Sequence, residues 1–356
     1  MSGRERAIRG VFATRLIEWQ QRFGRSDLPW QGTRDAYRIW LSEVMLQQTQ
    51  VQTVIPYYQR FLARFPDVVA LSQAPLDEVL RLWSGLGYYA RARSLHAAAR
   101  VVAAGGGDFP SSAEKLARLP GVGRSTAAAI GVFAFGERAA ILDGNVKRVL
   151  CRVFAVPGVP SQAAVDKRLW ELAESLVPLE NVERYTQGLM DLGATLCTRT
   201  SPRCSQCPFR EWCEAERLGI QDRIPERARK PPVPERRTVM LVALHKGKVL
   251  LEKRPPTGVW GGLWSLPEYA SFAAASRACA AAAGSPAGPP RKLAPLVHRF
   301  THFCLTIRPL VCRIVERVSA MNEPRLAWID VAQAEAGSVP APVRLLLKKV
   351  QALGPS

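Results

Sequence analysis

The sequence lacks any apolar run long enough to span a bilayer. Its first residues, M-S-G-R-E-R-A-I-R-G, have no apolar core of the kind a secretory signal needs. No internal repeat is found. These absences argue against membrane spans, a membrane partner and repeat architectures, and a soluble intracellular protein is the expectation. Acidic residues are scarce, 30 against 49 Lys and Arg, which leaves a formal net charge of +19. Such an imbalance favours a polyanionic partner through phosphate contacts and counterion release. A merely solvated basic surface is the blander alternative. The 356 residues are 47% hydrophobic, enough for ordinary cores, and the length suggests two domains.

Four of the eight cysteines, Cys151, Cys279, Cys304 and Cys312, stand singly among apolar residues and read as small buried hydrophobes. The other four, Cys197, Cys204, Cys207 and Cys213, form C-x6-C-x2-C-x5-C in a short polar stretch. That stretch is too small to bury a core, so a metal would be what folds it. A second close Cys pair is missing, which counts against zinc. Disulfides fit poorly with the absence of a secretory signal. Four thiolates at uneven spacing suit one 4Fe–4S cluster, with zinc as the alternative.

Helical periodicity runs through residues 11–22, 36–50, 76–83, 90–103, 113–119, 125–134, 146–154 and 163–176. Gly and Pro punctuate these segments, as at Pro120-Gly121 and Pro157-Gly158. Residues 1–226 are therefore expected to form one helical domain. Residues 227–237 belong to a charged, proline-rich stretch expected to be an exposed linker and a plausible docking segment for another protein. Residues 238–356 are expected to form a small α+β domain. Strands are predicted at 238–244, 248–253, 296–300, 304–315 and 325–329, a helix at 272–283 and a loop at 284–290.

Several motifs point to chemistry. Residues 119–126 read L-P-G-V-G-R-S-T, a tight turn between two helices. Gly121, Val122 and Gly123 let the backbone approach a ligand, and the helix starting at Arg124 offers free N–H groups to a phosphate. This helix–hairpin–helix pattern grips DNA backbone without reading sequence. A plain helical connection is the alternative. Residues 141–149 read I-L-D-G-N-V-K-R-V. Asp143 is predicted to cap a helix, where N–H groups and the helix dipole would keep it ionised and able to stabilise a cationic transition state. Glu43 lies in Y-R-I-W-L-S-E-V-M-L-Q-Q-T-Q-V with Ile39, Trp40 and Leu46 nearby on the helix. Apolar neighbours would raise its pKa, as a general acid requires, although a surface Glu would read the same way. Two carboxylates with opposed pKa demands are what N-glycosidic cleavage needs, after a base is flipped from the stack. Tyr88, in W-S-G-L-G-Y-Y-A-R-A-R, is either a wedge for the vacated stack or a core residue.

These motifs occur in one order with L-P-W-Q at 28–31, M-D-L-G-A at 190–194 and W-G-G-L-W-S-L-P-E at 260–268. Together they resemble the MutY-type adenine DNA glycosylases over nearly the whole chain. The resemblance implies removal of adenine mispaired with 8-oxoguanine or guanine in double-stranded DNA, by a monomer in the nucleoid-associated bacterial cytoplasm. It makes Glu43 the general acid and Asp143 the carboxylate facing the oxocarbenium ion, with Asn145 supporting the site. Gln48 and Tyr88 match residues that intercalate beside the oxidised guanine. Leu28, Trp30 and Gln187 match adenine-pocket residues. The second domain resembles a Nudix-like unit whose loop, here Phe300, Thr301 and His302, reads 8-oxoguanine. Family members often carry Ser where Thr301 stands.

Endonuclease III-like relatives place a Lys after G-V-G-R, whose amine forms a Schiff base with the sugar. Here the position is Ser125, so a monofunctional glycosylase is expected. The stretch after Trp264 lacks the glutamate-rich Nudix box, which argues against nucleotide hydrolysis. The competing readings are an endonuclease III-like glycosylase for thymine mispairs or oxidised pyrimidines, and a silent iron–sulfur DNA-binding protein. The second domain disfavours the former, and the presence of both carboxylates disfavours the latter. The cluster is expected to be structural, holding Arg199, Arg203 and Arg210 against phosphate.

Overall fold

The computed structural model describes residues 3–228, 232–283, 288–315 and 325–352. Residues 229–231 of the expected linker and most of the expected loop at 284–290 lie outside that set. Two compact units emerge, and they interleave in sequence. The first comprises Met1–Gln73 and Ser94–Arg229; the second comprises Ala74–Arg93 and Lys230–Ser356. Residues 74–93, which lie within the segment 1–226, group with the second unit.

The elements run α1 (Gly3–Phe23), α2 (Ala36–Leu46), α3 (Val51–Arg64), α4 (Val68–Gln73), α5 (Leu76–Trp83), α6 (Tyr89–Ala104), α7 (Ala113–Leu116), α8 (Arg124–Phe135), α9 (Gly144–Val153), α10 (Ala163–Leu176), α11 (Val182–Thr195) and α12 (Glu214–Arg217). A 3₁₀ turn at Cys204–Gln206 precedes α12. The second unit adds β1 (Glu235–His245), β2 (Lys248–Lys253), β3 (Trp264–Ser265), β4 (Glu268–Tyr269), α13 (Phe272–Ala283), β5 (Arg291–Lys292), β6 (Leu296–Arg299), β7 (Cys304–Arg313), β8 (Leu326–Asp330), α14 (Val331–Ala336) and α15 (Ala341–Gln351).

The first unit is built round a core to which α1, α9, α10 and α11 contribute. Ile8, Phe12 and Leu16 meet Val149, Leu150, Leu169, Leu172, Tyr185 and Leu189, all buried. Their spacing is that of helix faces turned inward. The cysteine-bearing loop joins this core through Phe209, whose ring stacks on Phe12 at 4.5 Å. Helix α11 was not legible from periodicity. Its two glycines mark close approaches instead: a Cβ on Gly188 would meet Leu16 at 3.0 Å, and one on Gly193 would meet the Asn145 Cβ at 2.6 Å. Helix α2 also ends earlier than expected, at Leu46, because Gln48 takes φ 57 and interrupts the helix before α3 begins.

Among its described residues the second unit holds an eight-stranded mixed sheet with the path β3-β2-β1-β7-β5. β1 runs parallel to β7, with Glu235 opposite Cys304 and Leu244 opposite Arg313. This pairing draws Glu235, Arg236 and Arg237 out of the expected linker and into the sheet. Val239–Ala243 are buried without alternation, as in a central strand covered on both faces. Ala275 and Cys279 of α13 pack on Val239, Leu241 and Leu310.

The α9–α11 approach predicts a steric test. Gly193→Ala puts a methyl where Asn145 already stands, and overpacking of this kind costs about 1–3 kcal/mol. A lowered thermal midpoint is expected; an unchanged one would show that the two helices part freely.

Candidate active site

Glu43 projects from α2 amid buried Ile39, Trp40 and Val44. Loss of solvation pushes its carboxyl up to about 8, and the nearby charge of Asp143 adds to the rise. The two carboxylates are thus brought together although one hundred residues separate them in sequence. Asp143 caps α9, accepting a hydrogen bond from the Val146 N–H at 2.8 Å. Its capping position is as expected from sequence, but its pKa is not depressed. Burial raises it, while the N–H groups of Val146 and Asn145 and the cations Arg148 and Lys147 pull it back. Of the pair, Glu43 has no such donors among the described residues and is the one that holds a proton near neutral pH.

The Ser125 hydroxyl accepts a hydrogen bond from the Leu142 N–H at 2.9 Å, pinning the chain one residue before Asp143. Asn145 accepts from the Arg148 guanidinium at 2.8 Å. Arg148 also donates to the carbonyls of Gly193 at 2.6 Å and Cys197 at 2.7 Å. One turn on, Arg152 donates to Thr198 O at 2.7 Å and Ile224 O at 2.9 Å, and lies 3.4 Å from Cys197 Sγ. Helix α9 therefore carries the capping carboxylate at one end and the anchors of the cysteine loop along its length.

Cys197, Cys204, Cys207 and Cys213 line one hollow of about 400 Å³, counting its open part, together with Arg152, Arg203 and Arg210. No group of three or more His, Cys, Asp or Glu that could hold a metal ion is found among the described residues. The side chains of Arg199, Arg203 and Arg210 are exposed.

In the hairpin, Gly121 has φ 77 and a Cβ there would strike Ser94 at 2.6 Å, so only glycine fits. Val122 is buried, and Gly123 caps α8 without a side-chain hydrogen bond, leaving the helix's first N–H groups without a side-chain cap. Arg124 is turned onto the Trp170 ring, 3.7 Å from its centre, and pairs with Glu174. The Gln47 amide reaches the Thr126 hydroxyl at 3.3 Å, tying the end of α2 to α8. The adjoining Gln48 is exposed.

The candidate base pocket has a framework that sequence reading missed. Leu28 and Trp30 sit on an irregular stretch, and Trp30 meets Tyr58 edge-on at 5.4 Å. Fully buried Asp191 accepts from the Arg25 N–H at 2.9 Å, from its guanidinium at 2.7 Å and from the Gln187 amide at 2.8 Å. Asp191 is the acidic residue of M-D-L-G-A, and a charged residue inside an otherwise small and apolar motif was the available signal.

In the second unit, Tyr88 is 44% exposed with φ 49, and Arg91 lies 5.3 Å above its ring. Exposure disposes of the core-packing alternative. The four residues 300–303 close the β6–β7 turn, with Phe300 N–H bonded to Phe303 O at 2.9 Å. Phe300 stacks on Phe303 at 4.4 Å and meets His298 edge-on at 4.6 Å. Thr301 and His302 are exposed, their polar atoms 3.4 Å apart.

This fold and these motifs define a class. Residues 41–175 match the model of the HhH-GPD superfamily base excision DNA repair proteins, and residues 238–349 match that of the NUDIX domain. A thermostable thymine-DNA glycosylase of known structure is similar, with TM-score 0.54 and 32% identity over 60% of this chain and 99% of that one. An endonuclease III–DNA complex shares the fold at TM-score 0.52 and 20% identity, over 62% of this chain and all of that one. The adenine DNA glycosylase of Buchnera aphidicola subsp. Baizongia pistaciae is 34% identical over 96% of this chain and 97% of its own. The human adenine DNA glycosylase is 37% identical over 83% of this chain and 66% of its own. The chain belongs to the family of MutY-type adenine DNA glycosylases with a C-terminal Nudix-like domain.

The raised Glu43 has a thermodynamic consequence. The folded chain keeps its proton up to about pH 8, whereas an unfolded carboxyl releases it near 4.5. Stability is therefore lost as pH rises through this window. Glu43→Gln is expected to raise the melting temperature, by an amount growing from pH 4.5 to pH 8 and absent below. A pH-independent difference would mean that Glu43 titrates normally.

Proposed function

We propose that this chain hydrolyses the N-glycosidic bond of adenine mispaired with 8-oxoguanine or guanine in double-stranded DNA, without cleaving the strand. The observation that carries the reading is the Glu43–Asp143 pair, in which Glu43 is raised to about 8 while Asp143 has backbone N–H groups and two cations to steady its charge. The base must first leave the stack. Glu43 gives its proton to the departing adenine at N7, and the C–N bond breaks with its electrons going to the base. Asp143 offsets the positive charge left on the sugar, and water adds at C1′ and releases a proton to solvent, leaving the abasic site while Glu43 regains its proton. Asn145 and Arg148 keep α9 in register for this. Ser125 cannot form an imine, and its hydroxyl is engaged with Leu142 N–H.

Gly121, Val122 and Gly123 with the α8 N-terminus would hold a backbone phosphate, helped by the net charge of +19. Arg124 would reach the phosphate by leaving Glu174 and Trp170. Leu28, Trp30 and Gln187 would receive adenine. Gln48 and Tyr88 would fill the gap in the stack, and Phe300, Thr301 and His302 would read the oxidised guanine. Helix α13 (F-A-A-A-S-R-A-C-A-A-A-A) carries no acidic residue, which supports recognition over nucleotide hydrolysis.

Cys197, Cys204, Cys207 and Cys213 would hold one 4Fe–4S cluster. Four sulfurs around one hollow fit a multi-atom centre. Burial pushes the Cys204 and Cys207 thiols up to about 12, and a metal's charge is what converts such thiols to thiolates. Such a cluster would supply architecture, fixing the loop that carries Arg199, Arg203 and Arg210.

A thymine-mispair glycosylase is the second reading, favoured by the 32% identity to the thymine-DNA glycosylase structure. Single-turnover release from duplexes holding A·8-oxoguanine, A·G or T·G separates the two. Fast adenine release, with strand breaks only after alkali, is expected. Glu43→Gln and Asp143→Asn should each slow it by about 10²–10⁴, the usual contribution of such groups. Thymine release in preference to adenine would sink the proposal. Strong borohydride trapping would sink its monofunctional part.

The titration of Glu43 predicts the pH profile. The single-turnover rate should fall as pH rises through about 8, because the acid form is lost. A flat profile between pH 7 and pH 10 would assign the proton to another group.

A further inference from the structure

Asp191 has no role in the reaction as derived above, yet its carboxyl is fully buried. A buried carboxylate persists only where donors surround it. Its three donors all belong to segments of the candidate base pocket. Arg25 approaches it twice, through the backbone N–H at 2.9 Å and the guanidinium at 2.7 Å. The same residue's carbonyl accepts from the Gln31 amide at 3.0 Å, and the Gln31 amide oxygen accepts from Leu28 N–H at 3.1 Å. The irregular stretch bearing Leu28 and Trp30 is thus hung from one carboxylate.

The third donor decides a chemical question. An amide side chain offers a donor at one end and an acceptor at the other, and only its partners set which faces where. An ionised carboxylate can only accept, so the Gln187 Nε2 must face Asp191, as it does at 2.8 Å. The Gln187 carbonyl oxygen is left to point elsewhere, with no partner among the described residues. Adenine carries an amino group at C6, a donor. A purine with a keto group there, such as hypoxanthine, carries an acceptor and would meet oxygen with oxygen.

We propose that Asp191 is the positioning residue that makes the pocket select a 6-amino purine, by fixing the Gln187 amide with its carbonyl oxygen toward the base and by holding the Leu28–Trp30 stretch through Arg25. The proposal rests on the adenine-excision reading. It differs from a structural role in what it does to selectivity. Asparagine at 191 keeps the shape but can donate as well as accept, so the Gln187 amide is free to turn over.

The test is single-turnover release of adenine and of hypoxanthine, each opposite 8-oxoguanine, by wild type, Asp191→Asn and Gln187→Leu. Gln187→Leu leaves the Asp191–Arg25 pair intact and keeps the experiment decisive if Asp191→Asn folds poorly. Wild type should favour adenine by about tenfold or more, the scale on which a site built to bind one polar group rejects its opposite. Both variants should bring the ratio to within about threefold of unity, and the double variant should go no further. Equal slowing of both bases in Asp191→Asn, or an unchanged ratio in Gln187→Leu, would overturn this proposal alone. Release of neither base by wild type would overturn the adenine reading and this proposal with it.

Discussion

One electrostatic constraint shapes the candidate site of the first unit: two carboxyl groups share a poorly solvated place, and their surroundings treat them differently. Like charges close together in low dielectric cannot both persist cheaply. The fold separates their fates by position on the helices. Glu43 sits on the side of α2, where apolar neighbours offer no donor. Asp143 sits at the start of α9, where N–H groups and the cations Arg148 and Lys147 oppose the cost of burial. The α9 N-terminus must then be held firmly, and three contacts do so. Ser125 pins the chain before it, Arg148 ties it to α11, and Gly193 lets α11 come close enough for that tie.

The same helix explains why the cysteine loop belongs to this architecture. Arg148 and Arg152 reach carbonyls of Cys197, Thr198 and Ile224, so the loop is seated on α9 and not only on its own thiols. Phe209 adds an aromatic stack on α1. The proposed cluster would thus order a segment whose outer face carries exposed arginines. Two of the proposed DNA-contacting residues share a backbone property. Gln48 and Tyr88, in different units, both adopt positive φ without being glycine. Such backbone is costly and tends to survive where function holds it in place.

Much of this was readable from residues. The hairpin, the Asp143 cap, the cysteine spacing and the β1–β2 hairpin all rest on local rules of turns, caps and periodicity, and such rules act within a few residues. The helix over residues 272–283 emerged at the expected place for the same reason. Reading failed where distant parts decide. Helix α11 was hidden because its glycines answer to Leu16 and Asn145. The strand beginning at Glu235 was read as linker because its partner, β7, lies some seventy residues on.

By itself the sequence determined which chemistry is on offer: a carboxylate able to cap a helix, another on an apolar helix face, four thiols at cluster spacing, a serine where a nucleophilic amine would otherwise stand, and a basic chain. Tertiary structure alone decided how that chemistry is tuned. It set burial against capping at Asp143 and reversed the expected direction of its pKa. It turned Arg124 onto Trp170. It made Asp191, inconspicuous in its motif, the anchor of Arg25 and Gln187. The physical reason is common to all three. Capping, spacing and residue type are short-range and written in order along the chain, whereas desolvation and hydrogen-bond partnership depend on what the fold places alongside, which no local pattern records.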